Sequence, residues 1–290
     1  EGFYTDDRAT ITGVPSTGTF ASANVGENIN VDIANTLAIS NSNYYVSSVA
    51  GGLTGTITPK TVTLSASKTY DGNTQLGSTA VTVSTGVGSE TLSYRDALAS
   101  SANVGSGNYI TEITLLDGSN GGLASNYQLP TLNSTYAPVT INKRTVTLIA
   151  EKVYDSTRSF SSLTVDTGVA GQTLSYSSAA SNDANVATNN KYISAITLAD
   201  ATDGSGGLLS NYQLPSLLVA SANNQVSITA KTLSFSGTPT REYNGSTVID
   251  AGLVTLVTGV GSQTLGISNI SANTANVGSG NYIASITLAN

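Results

Sequence analysis

Acidic residues in two glycine-rich stretches are the first candidates for metal chemistry. Asp117 begins the stretch 117–122, and Asp200 and Asp203 lie in the stretch 200–207. Calcium binds about six to eight oxygens, usually from several carboxylates, whereas each stretch offers few carboxylates and neither has the bidentate glutamate of an EF-hand. The sequence therefore predicts hairpin loops at both places, with a calcium site at Asp117, Asp200 or Asp203 as the alternative. No other metal and no organic cofactor is predicted.

A second candidate is a short motif that combines an aromatic residue with a carboxylate. It occurs as Tyr70-Asp71-Gly72 and Tyr154-Asp155-Ser156, and as Tyr243-Asn244-Gly245 with an amide in place of the acid. An exposed tyrosine beside a carboxylate would suit ligand binding. A turn explains the same residues, because Asp and Asn bond their own backbone and glycine tolerates a positive φ. Asn244 keeps the turn-forming ability and loses the charge, which favours the turn.

The composition excludes most catalytic chemistry. The 290 residues contain no His, Cys, Met or Trp, so a Ser-His-Asp triad, a cysteine nucleophile and the usual zinc, copper or haem ligands are absent. No singular acidic cluster interrupts the repeated sequence, and the chain is predicted not to be an enzyme. A net charge of −7 argues against nucleic-acid binding, which depends on Lys and Arg. Only 10% of the residues are charged, against about 25% in ordinary soluble proteins, which favours an extracellular β protein.

Internal repetition defines the domain organisation. Asn126-Tyr127-Gln128-Leu129-Pro130 recurs at 211–215, where it begins with Asn211-Tyr212. Asn103-Val104 recurs as Asn185-Val186 and Asn276-Val277, with an earlier copy at Asn24-Val25. The chain is therefore predicted to contain a partial first repeat at 1–60, complete second and third repeats at 61–144 and 145–231, and a partial fourth repeat at 232–290.

Each repeat has the pattern of short β-strands. In 61–66, Val62, Leu64 and Ala66 alternate with hydroxyl residues, which indicates a strand with one buried face. About seven such strands per repeat predict an all-β fold in which each repeat is a small immunoglobulin-like sandwich. The stretch 95–102 is the most helix-like, and a β-grasp-like repeat with one short helix is the alternative.

The junctions between repeats are short. Ile57-Thr58-Pro59-Lys60 ends the first repeat and Thr61 begins the second, with no Gly/Ser linker between them. Flexible linkers are rich in glycine and serine, so a junction without these residues favours a stiff connection. The tandem array is therefore predicted to form a rigid rod.

The order of these motifs resembles the YDG and MBG repeats of bacterial exoproteins. The matching elements are Lys68 with Tyr70-Asp71-Gly72, then Asn103-Val104, then Asn126-Tyr127, and Ile57-Thr58-Pro59-Lys60 at the junction. Such repeats stand in tandem in large filamentous-haemagglutinin-like adhesins, which are secreted by the two-partner route and act in biofilms. The resemblance implies an extracellular location on the bacterial cell surface and a structural part in adhesion, with no catalytic residue and no cofactor.

These observations predict a structural protein: a stalk or filament segment that extends a binding region from the cell or builds biofilm matrix. Its partners would be neighbouring repeats of the same larger chain. One alternative is a segment that itself binds extracellular polysaccharide or other copies of itself, for which a row of exposed tyrosines at one spacing per repeat is expected. Another is a filament subunit whose ends exchange strands. Neither nucleic acid nor a membrane span is expected, since no apolar run approaches about 18 residues.

Overall fold

The computed structural model of the chain describes residues 10–33, 37–45, 52–187 and 189–289. Parts of the predicted repeat 1–60, including residues 1–9, and the last residue of 232–290 lie outside these ranges. The chain divides into two compact units, Glu1–Asn142 and Lys143–Asn290. The first unit holds the first two repeats and the second unit the last two; the repeat boundaries stay predictions. Within the described ranges, no helix is long and apolar enough to cross a membrane.

Short strands make up both units. In the first unit they are β1 (Ile11–Thr12), β2 (Gly18–Phe20), β3 (Gly26–Ile33), β4 (Ala38–Ile39), β5 (Thr54–Ile57), β6 (Lys60–Thr61), β7 (Thr63–Thr69), β8 (Val81–Ser84), β9 (Leu92–Ala99), β10 (Ile110–Asp117), β11 (Tyr127–Gln128) and β12 (Val139–Asn142). In the second unit they are β13 (Arg144–Thr145), β14 (Thr147–Val153), β15 (Ser159–Phe160), β16 (Thr164–Asp166), β17 (Ser175–Ser181), β18 (Ile193–Ala199), β19 (Tyr212–Gln213), β20 (Asn224–Thr229), β21 (Ser234–Ser236), β22 (Thr255–Val257), β23 (Gly266–Ala272) and β24 (Ile283–Ala289). The helical segments of the described residues are short 3₁₀ turns at Ala124–Asn126, Leu209–Asn211 and Ala251–Leu253. The prediction of an all-β fold is confirmed.

The second repeat is closed by pairing of its first and last long strands. β12 runs parallel to β7, with Val139 opposite Ala66 and Asn142 opposite Thr69. β8 pairs antiparallel with the other edge of β7, and β9 and β10 form an antiparallel hairpin. Parallel strands need a long crossover connection. Here the chain between β7 and β12, which includes the hairpin, supplies that connection.

The third repeat has the same arrangement. β20 runs parallel to β14, with Asn224 opposite Leu148, and β16 pairs antiparallel with β14. A second sheet contains β15, β17 and β18 in that order. In both complete repeats a short parallel pair joins the start of the repeat to the Asn-Tyr motif: β6 with β11, and β13 with β19.

Alternation along the long strands builds the core of each repeat. In β7, Leu64 and Ala66 are buried, whereas Thr63, Ser65 and Ser67, which alternate with them, are exposed. β12 buries Val139 and Ile141 in the same way, and Leu148 of β14 is fully buried. Because the chain has no cysteine, burial of these apolar side chains must hold each repeat together without disulfides.

The stretch with the most helix-like sequence, 95–102, is extended rather than helical. Most of it lies in β9, where Asp96 has a φ of 55° and the pairing with β10 shifts register. Ser178 has a φ of 49° in β17, also beside a register shift. A bulge inserts an extra residue and interrupts the two-residue alternation of a strand, which hides the strand in the sequence. The helix on which the β-grasp-like alternative depended is not formed at 95–102.

The outer repeats contain fewer paired strands among the described residues. In the first repeat, β3 lies between β2 and β5 and is antiparallel to both. In the fourth repeat, β21 pairs with β22 and β23 with β24. β5 ends at Ile57 and β6 begins at Lys60, just as β12 ends at Asn142 and β13 begins at Arg144. The last strand of one repeat thus leads within a few residues into the first strand of the next.

We expect Leu148→Ala to lower the free energy of unfolding by about 2–5 kcal/mol, because it leaves a cavity where the side chain is fully buried. Ile149→Ala is the matched control: it is the next residue of the same strand and is 43% exposed, so its loss should stay below about 1 kcal/mol. Urea unfolding followed by circular dichroism measures both values. Equal losses for the two variants would contradict the assignment of Leu148 to the core.

Candidate functional site

The Tyr-Asp-Gly motif of the second repeat forms a turn. The Asp71 carboxylate accepts a hydrogen bond from the backbone N–H of Asn73 at 3.2 Å, and Gly72 has a φ of 83°. Tyr70 is 2% exposed, so its ring lies inside the protein rather than on a binding surface. Of the two interpretations of this motif, its geometry here fits the turn.

A lysine that precedes the motif holds the loop together. The Lys68 ammonium lies 2.6 Å from the Asp71 carboxylate and donates to the carbonyl oxygens of Asn73 at 2.8 Å and Gln75 at 2.9 Å. The Lys68 side chain is only 8% exposed. A buried charge is tolerated when it is paired and hydrogen-bonded, and these oxygens meet that need. We call this arrangement the cation cage: one basic side chain bound to two backbone carbonyl oxygens of the loop.

The third repeat has the same cation cage. Lys152 Nζ lies 2.7 Å from the Asp155 carboxylate and donates to the carbonyl oxygens of Thr157 at 2.6 Å and Ser159 at 3.0 Å. The ammonium also lies 5.1 Å from the centre of the Phe160 ring, within range of a cation–π interaction. The positive charge of Lys152 is therefore stabilised by a carboxylate, two carbonyl oxygens and an aromatic ring.

In the fourth repeat an arginine takes the place of the lysine. Arg241 donates to the carbonyl oxygens of Ser246 and Val248, which completes a third cation cage. The side-chain oxygen of Asn244 accepts the backbone N–H of Ser246 at 3.1 Å, as the acid does in the other loops. Tyr243 is 65% exposed, so the turn and the cage form whether or not the motif tyrosine is buried.

All three loops need a positive φ at the third motif position. Gly72, Ser156 and Gly245 have φ angles of 83°, 67° and 73°. This left-handed conformation costs an L-residue with a side chain about 1–2 kcal/mol. Glycine has no Cβ and adopts the conformation without that cost. Ser156, which stands where the other loops have glycine, therefore keeps the turn but strains its own backbone.

The cation cage lowers the pKa of Asp155 to about 2. The largest cause is the hydrogen bond from Lys152; desolvation opposes it, and hydrogen bonds from the N–H and hydroxyl of Thr157 add to it. An unperturbed aspartate has a pKa of about 3.9. Between about pH 2 and pH 4 this carboxylate is therefore more ionised in the folded chain than in the unfolded one.

The lowered pKa of Asp155 predicts a pH-dependent stability. The stabilisation is fully present above the unfolded pKa of about 4 and is lost as pH falls through the folded value of about 2. Asp155→Asn should therefore destabilise the chain at neutral pH, by at most about 1 kcal/mol because half of the Asp155 side chain faces solvent. The difference from the wild type should shrink on acidification. Urea unfolding across this pH range measures it, and a pH-independent difference would contradict the role of the ionised carboxylate.

The Asn-Val motif is a second recurring turn. In every copy the backbone N–H of the asparagine donates to the side-chain oxygen of a Ser, Thr or Asp two positions earlier, which is how such residues stabilise turns. The pairs are Asn24 with Ser22, Asn103 with Ser101, Asn185 with Asp183 and Asn276 with Thr274, at 2.7–3.2 Å. The same side-chain hydrogen bond therefore fixes the motif in each repeat.

The valine of this motif differs in exposure from copy to copy. Val25 and Val104 are half-buried, whereas Val186 and Val277 are 49% and 87% exposed. Because the turn hydrogen bond is present in all four copies, the turn does not depend on burial of the valine.

An ion pair that sequence reasoning missed supports this turn in the third repeat. In the second repeat the Asn108 amide donates to the carbonyl oxygen of Asn103 at 2.9 Å. In the third repeat Lys191, only 4% exposed, stands in the place of Asn108 and binds the Asp183 carboxylate. This hydrogen bond is the largest cause of the lowered pKa of Asp183. The signal lay in the alignment of the repeats, where Ser101 and Asn108 change together into an acid and a base.

The Asn-Tyr motif connects the first and second repeats. The Asn126 carboxamide accepts the backbone N–H of Val25 and donates to the side-chain oxygen of Asn24, both at 2.9 Å. The next residue, Tyr127, is buried, and its hydroxyl donates to Glu90 at 2.5 Å. That hydrogen bond is the main cause of the raised pKa of Tyr127. Tyr127 thus anchors the motif in its own repeat while Asn126 binds the turn of the preceding one.

The second unit shows a related pair of contacts. The Tyr212 hydroxyl donates to the side-chain oxygen of Gln172 at 2.6 Å, and Asn211 beside it is fully buried. Between the third and fourth repeats, the Gln263 amide donates to the Tyr154 hydroxyl at 2.9 Å. The tyrosine of the Tyr-Asp-Gly motif thus takes part in a contact between repeats.

We expect Asn126→Ala to weaken the attachment of the first repeat to the second. It removes two hydrogen bonds, each with a net value of about 0.5–1.5 kcal/mol, and leaves the Val25 N–H without its acceptor. Amide hydrogen exchange at Val25 should become faster. Gln128→Ala is the matched control, because Gln128 donates to Thr61 within its own repeat and its loss should leave Val25 unchanged. Unaltered exchange in Asn126→Ala would contradict the proposed connection.

Two of the calcium candidates, Asp117 and Asp200, accept a hydrogen bond from the start of a 3₁₀ turn. Asp117 accepts the N–H of Ala124, and Asp200 accepts the N–H of Leu209, both at 2.7 Å. Ala124 and Leu209 each begin a 3₁₀ turn, so the two carboxylates fasten equivalent loops to equivalent turns. In both carboxylates, one oxygen is therefore hydrogen-bonded to the backbone of the chain.

The third calcium candidate, Asp203, follows β18 and binds Thr173, which lies just before the neighbouring strand β17. The strands on either side of the loop 200–207 do not pair with each other, so this loop is not the predicted hairpin. Its carboxylate accepts the Thr173 hydroxyl at 2.6 Å and the N–H of Ser205 at 3.0 Å. These hydrogen bonds, that of Thr173 first, lower the pKa of Asp203 to about 2. Among the residues that the structure describes, no three His, Cys, Asp or Glu side chains come together as a metal site. The calcium alternative stays a prediction.

Comparison with known protein families matches residues 54–137 to the YDG domain. The matched range runs from β5 to just before β12 and includes the Tyr70-Asp71-Gly72 turn and its cation cage. It also includes the Asn103-Val104 turn and the Asn126-Tyr127 contacts. Neither a curated protein nor a solved structure matches the chain. The predicted resemblance is confirmed for this region: residues 54–137 are a YDG-type domain.

Proposed function

We propose that the chain is a structural segment of a secreted bacterial surface adhesin. It would extend a binding region from the cell as part of a stalk, or build biofilm matrix as part of a filament. The observation that carries this proposal is that the repeated side chains bind their own turns or the neighbouring repeat, as Asn126 does with Asn24 and Val25. Motif residues that bind their own turn or the neighbouring repeat hold the repeats together. Such a role is mechanical.

The extracellular location belongs to the same proposal. The match of residues 54–137 to the YDG domain supports it, because resemblance to YDG repeats implies a place in large secreted adhesins. The same motifs recur in the third and fourth repeats, so the proposed extracellular location applies to these repeats too. The low content of charged residues and the lack of cysteine also suit a β protein that folds outside the cell without disulfides.

The exposed tyrosines favour a structural role over polysaccharide binding. Tyr45, Tyr136, Tyr243 and Tyr282 are each more than half exposed, and they occupy different positions within their repeats. Tyr282 corresponds in sequence to Tyr109, which is half-buried. Weak sites that act together through repetition would present the same tyrosine in each repeat. The described residues show no such row.

The proposal is tested in the organism that makes the chain. Antibodies against the chain should label intact cells and isolated biofilm matrix, and brief protease treatment of intact cells should remove the label. The purified chain should not be retained by the matrix polysaccharide. Label confined to permeabilised cells would contradict the extracellular location, whereas retention by the polysaccharide would favour the binding alternative.

A cleft in the fourth repeat favours a second candidate, a filament subunit completed by strand exchange. The cleft has a volume of about 620 Å³ and is lined by residues 237–243 and 274–278, with parts of the strands beside them. In the second repeat, β12 lies beside the corresponding first strand, β7. A strand from another copy would fill the cleft by backbone pairing.

Light scattering of the purified chain distinguishes the two candidates. Strand exchange predicts a molar mass that rises with concentration, because each copy completes the next. A molar mass that stays that of the monomer over the same range would contradict strand exchange and agree with the structural segment.

A further inference from the structure

The fourth repeat holds an amide where the other two Tyr-Asp-Gly loops hold a carboxylate. We propose that Asn244 is a modification site: it deamidates spontaneously, and Arg241 binds the aspartate that results, as Lys68 binds Asp71. The reaction needs no enzyme and no co-reactant other than water. It is independent of the proposed function, because it concerns the chemistry of one loop.

The surroundings of Asn244 are those that bind a carboxylate elsewhere in the chain. In the third repeat, Asp155 accepts the N–H of Thr157 at 2.9 Å and lies 2.7 Å from the Lys152 ammonium. Asn244 keeps the first contact, because its oxygen accepts the N–H of Ser246 at 3.1 Å. The second contact needs a negative charge, which asparagine lacks.

The cation for this second contact is already in place. Arg241 is held by the carbonyl oxygens of Ser246 and Val248, the loop positions that bind Lys152 in the third repeat. Among the described residues, the ion pairs of the chain are formed by other bases, and Arg241 has no acidic partner. An aspartate at position 244 would offer Arg241 a carboxylate partner, and Arg–carboxylate hydrogen bonds are among the strong ones in proteins.

Gly245, the residue after Asn244, allows the deamidation to proceed. The backbone nitrogen of Gly245 attacks Cγ of Asn244, a C–N bond forms, and the side-chain nitrogen leaves as ammonia. Water then opens the resulting five-membered imide and leaves either aspartate or isoaspartate at position 244. Gly245 presents no side chain to hinder the attack, and Asn244 and Gly245 are both exposed to water. The net change replaces NH by O, a gain of about one dalton.

The chain contains its own control for this chemistry. Asn120-Gly121 is the same dipeptide in another exposed loop. There the Asn120 carboxamide nitrogen, which must leave as ammonia, donates to the carbonyl oxygen of Ser89 at 3.0 Å. At Asn244 the hydrogen bond goes to the carboxamide oxygen instead and does not hold the leaving nitrogen. The loop 117–122 also has no cation cage among the contacts of the described residues. Deamidation should therefore be slower at Asn120 than at Asn244.

Peptide mapping by mass spectrometry tests the reaction in the full chain. After incubation in mildly alkaline buffer, the peptide with Asn244 should show the one-dalton gain several-fold faster than the peptide with Asn120, and aspartate should be among its products. Equal rates at the two sites, no gain at Asn244, or isoaspartate as the whole product would each overturn the proposal. Asn244→Gln should abolish the gain in the first peptide and leave the second unchanged.

A second measurement tests whether Arg241 binds the product. Asn244→Asp should raise the midpoint of thermal unfolding above that of the wild type by about 2–4 °C, and the shift should fall at high salt because a surface ion pair is screened. Asn120→Asp is the matched control and should give no such rise. If Asn244→Asp lowers the midpoint or leaves it unchanged, Arg241 does not bind the aspartate and this part of the proposal is wrong.

Discussion

Parallel pairing of the first and last long strands is the contact on which each complete repeat depends. β7 pairs with β12, and β14 with β20, although most of the repeat lies between the two strands in sequence. Closing so long a loop costs entropy, and the core buried beneath the strands must offset it. Because the pairing is parallel, the end of the repeat lies beside the end of its first long strand, with Asn142 opposite Thr69. A single residue, Lys143, separates the end of β12 from the start of β13, so the next repeat begins beside the end of the first long strand.

The loops outside this framework are fixed by local polar contacts. The cation cages of Lys68, Lys152 and Arg241 bind backbone carbonyl oxygens of the loops that follow them. The Asn-Val turns use a side-chain acceptor two residues earlier, and one of them adds the pair of Lys191 with Asp183. Each loop therefore keeps its shape through a few short-range bonds, and different residues fill the same role in different repeats.

The sequence predicted features that depend on local pattern and missed those that depend on pairing. The alternation around Leu64 marks β7 clearly, and the Tyr-Asp-Gly turn followed from the known preferences of its residues. The bulge at Asp96 breaks the alternation of β9 and made that strand resemble a helix. The parallel partner of β7 lies far along the chain and leaves no mark on its pattern. Two partners of Lys68 are backbone carbonyl oxygens, which every residue possesses, so the motif alone does not show the cation cage.

The cation cages also determine in which solutions the loops keep their conformation. A loop organised around a dissolved metal ion opens when that ion is diluted or removed by a chelator. Lys68 and Lys152 are covalently part of the chain, so the effective concentration of their charge at the loop is the same in every medium. Their ammonium groups are largely buried, which also limits screening by salt. The Tyr-Asp-Gly loops of the second and third repeats are therefore expected to keep their shape in fresh water, in brine and in the presence of metal scavengers.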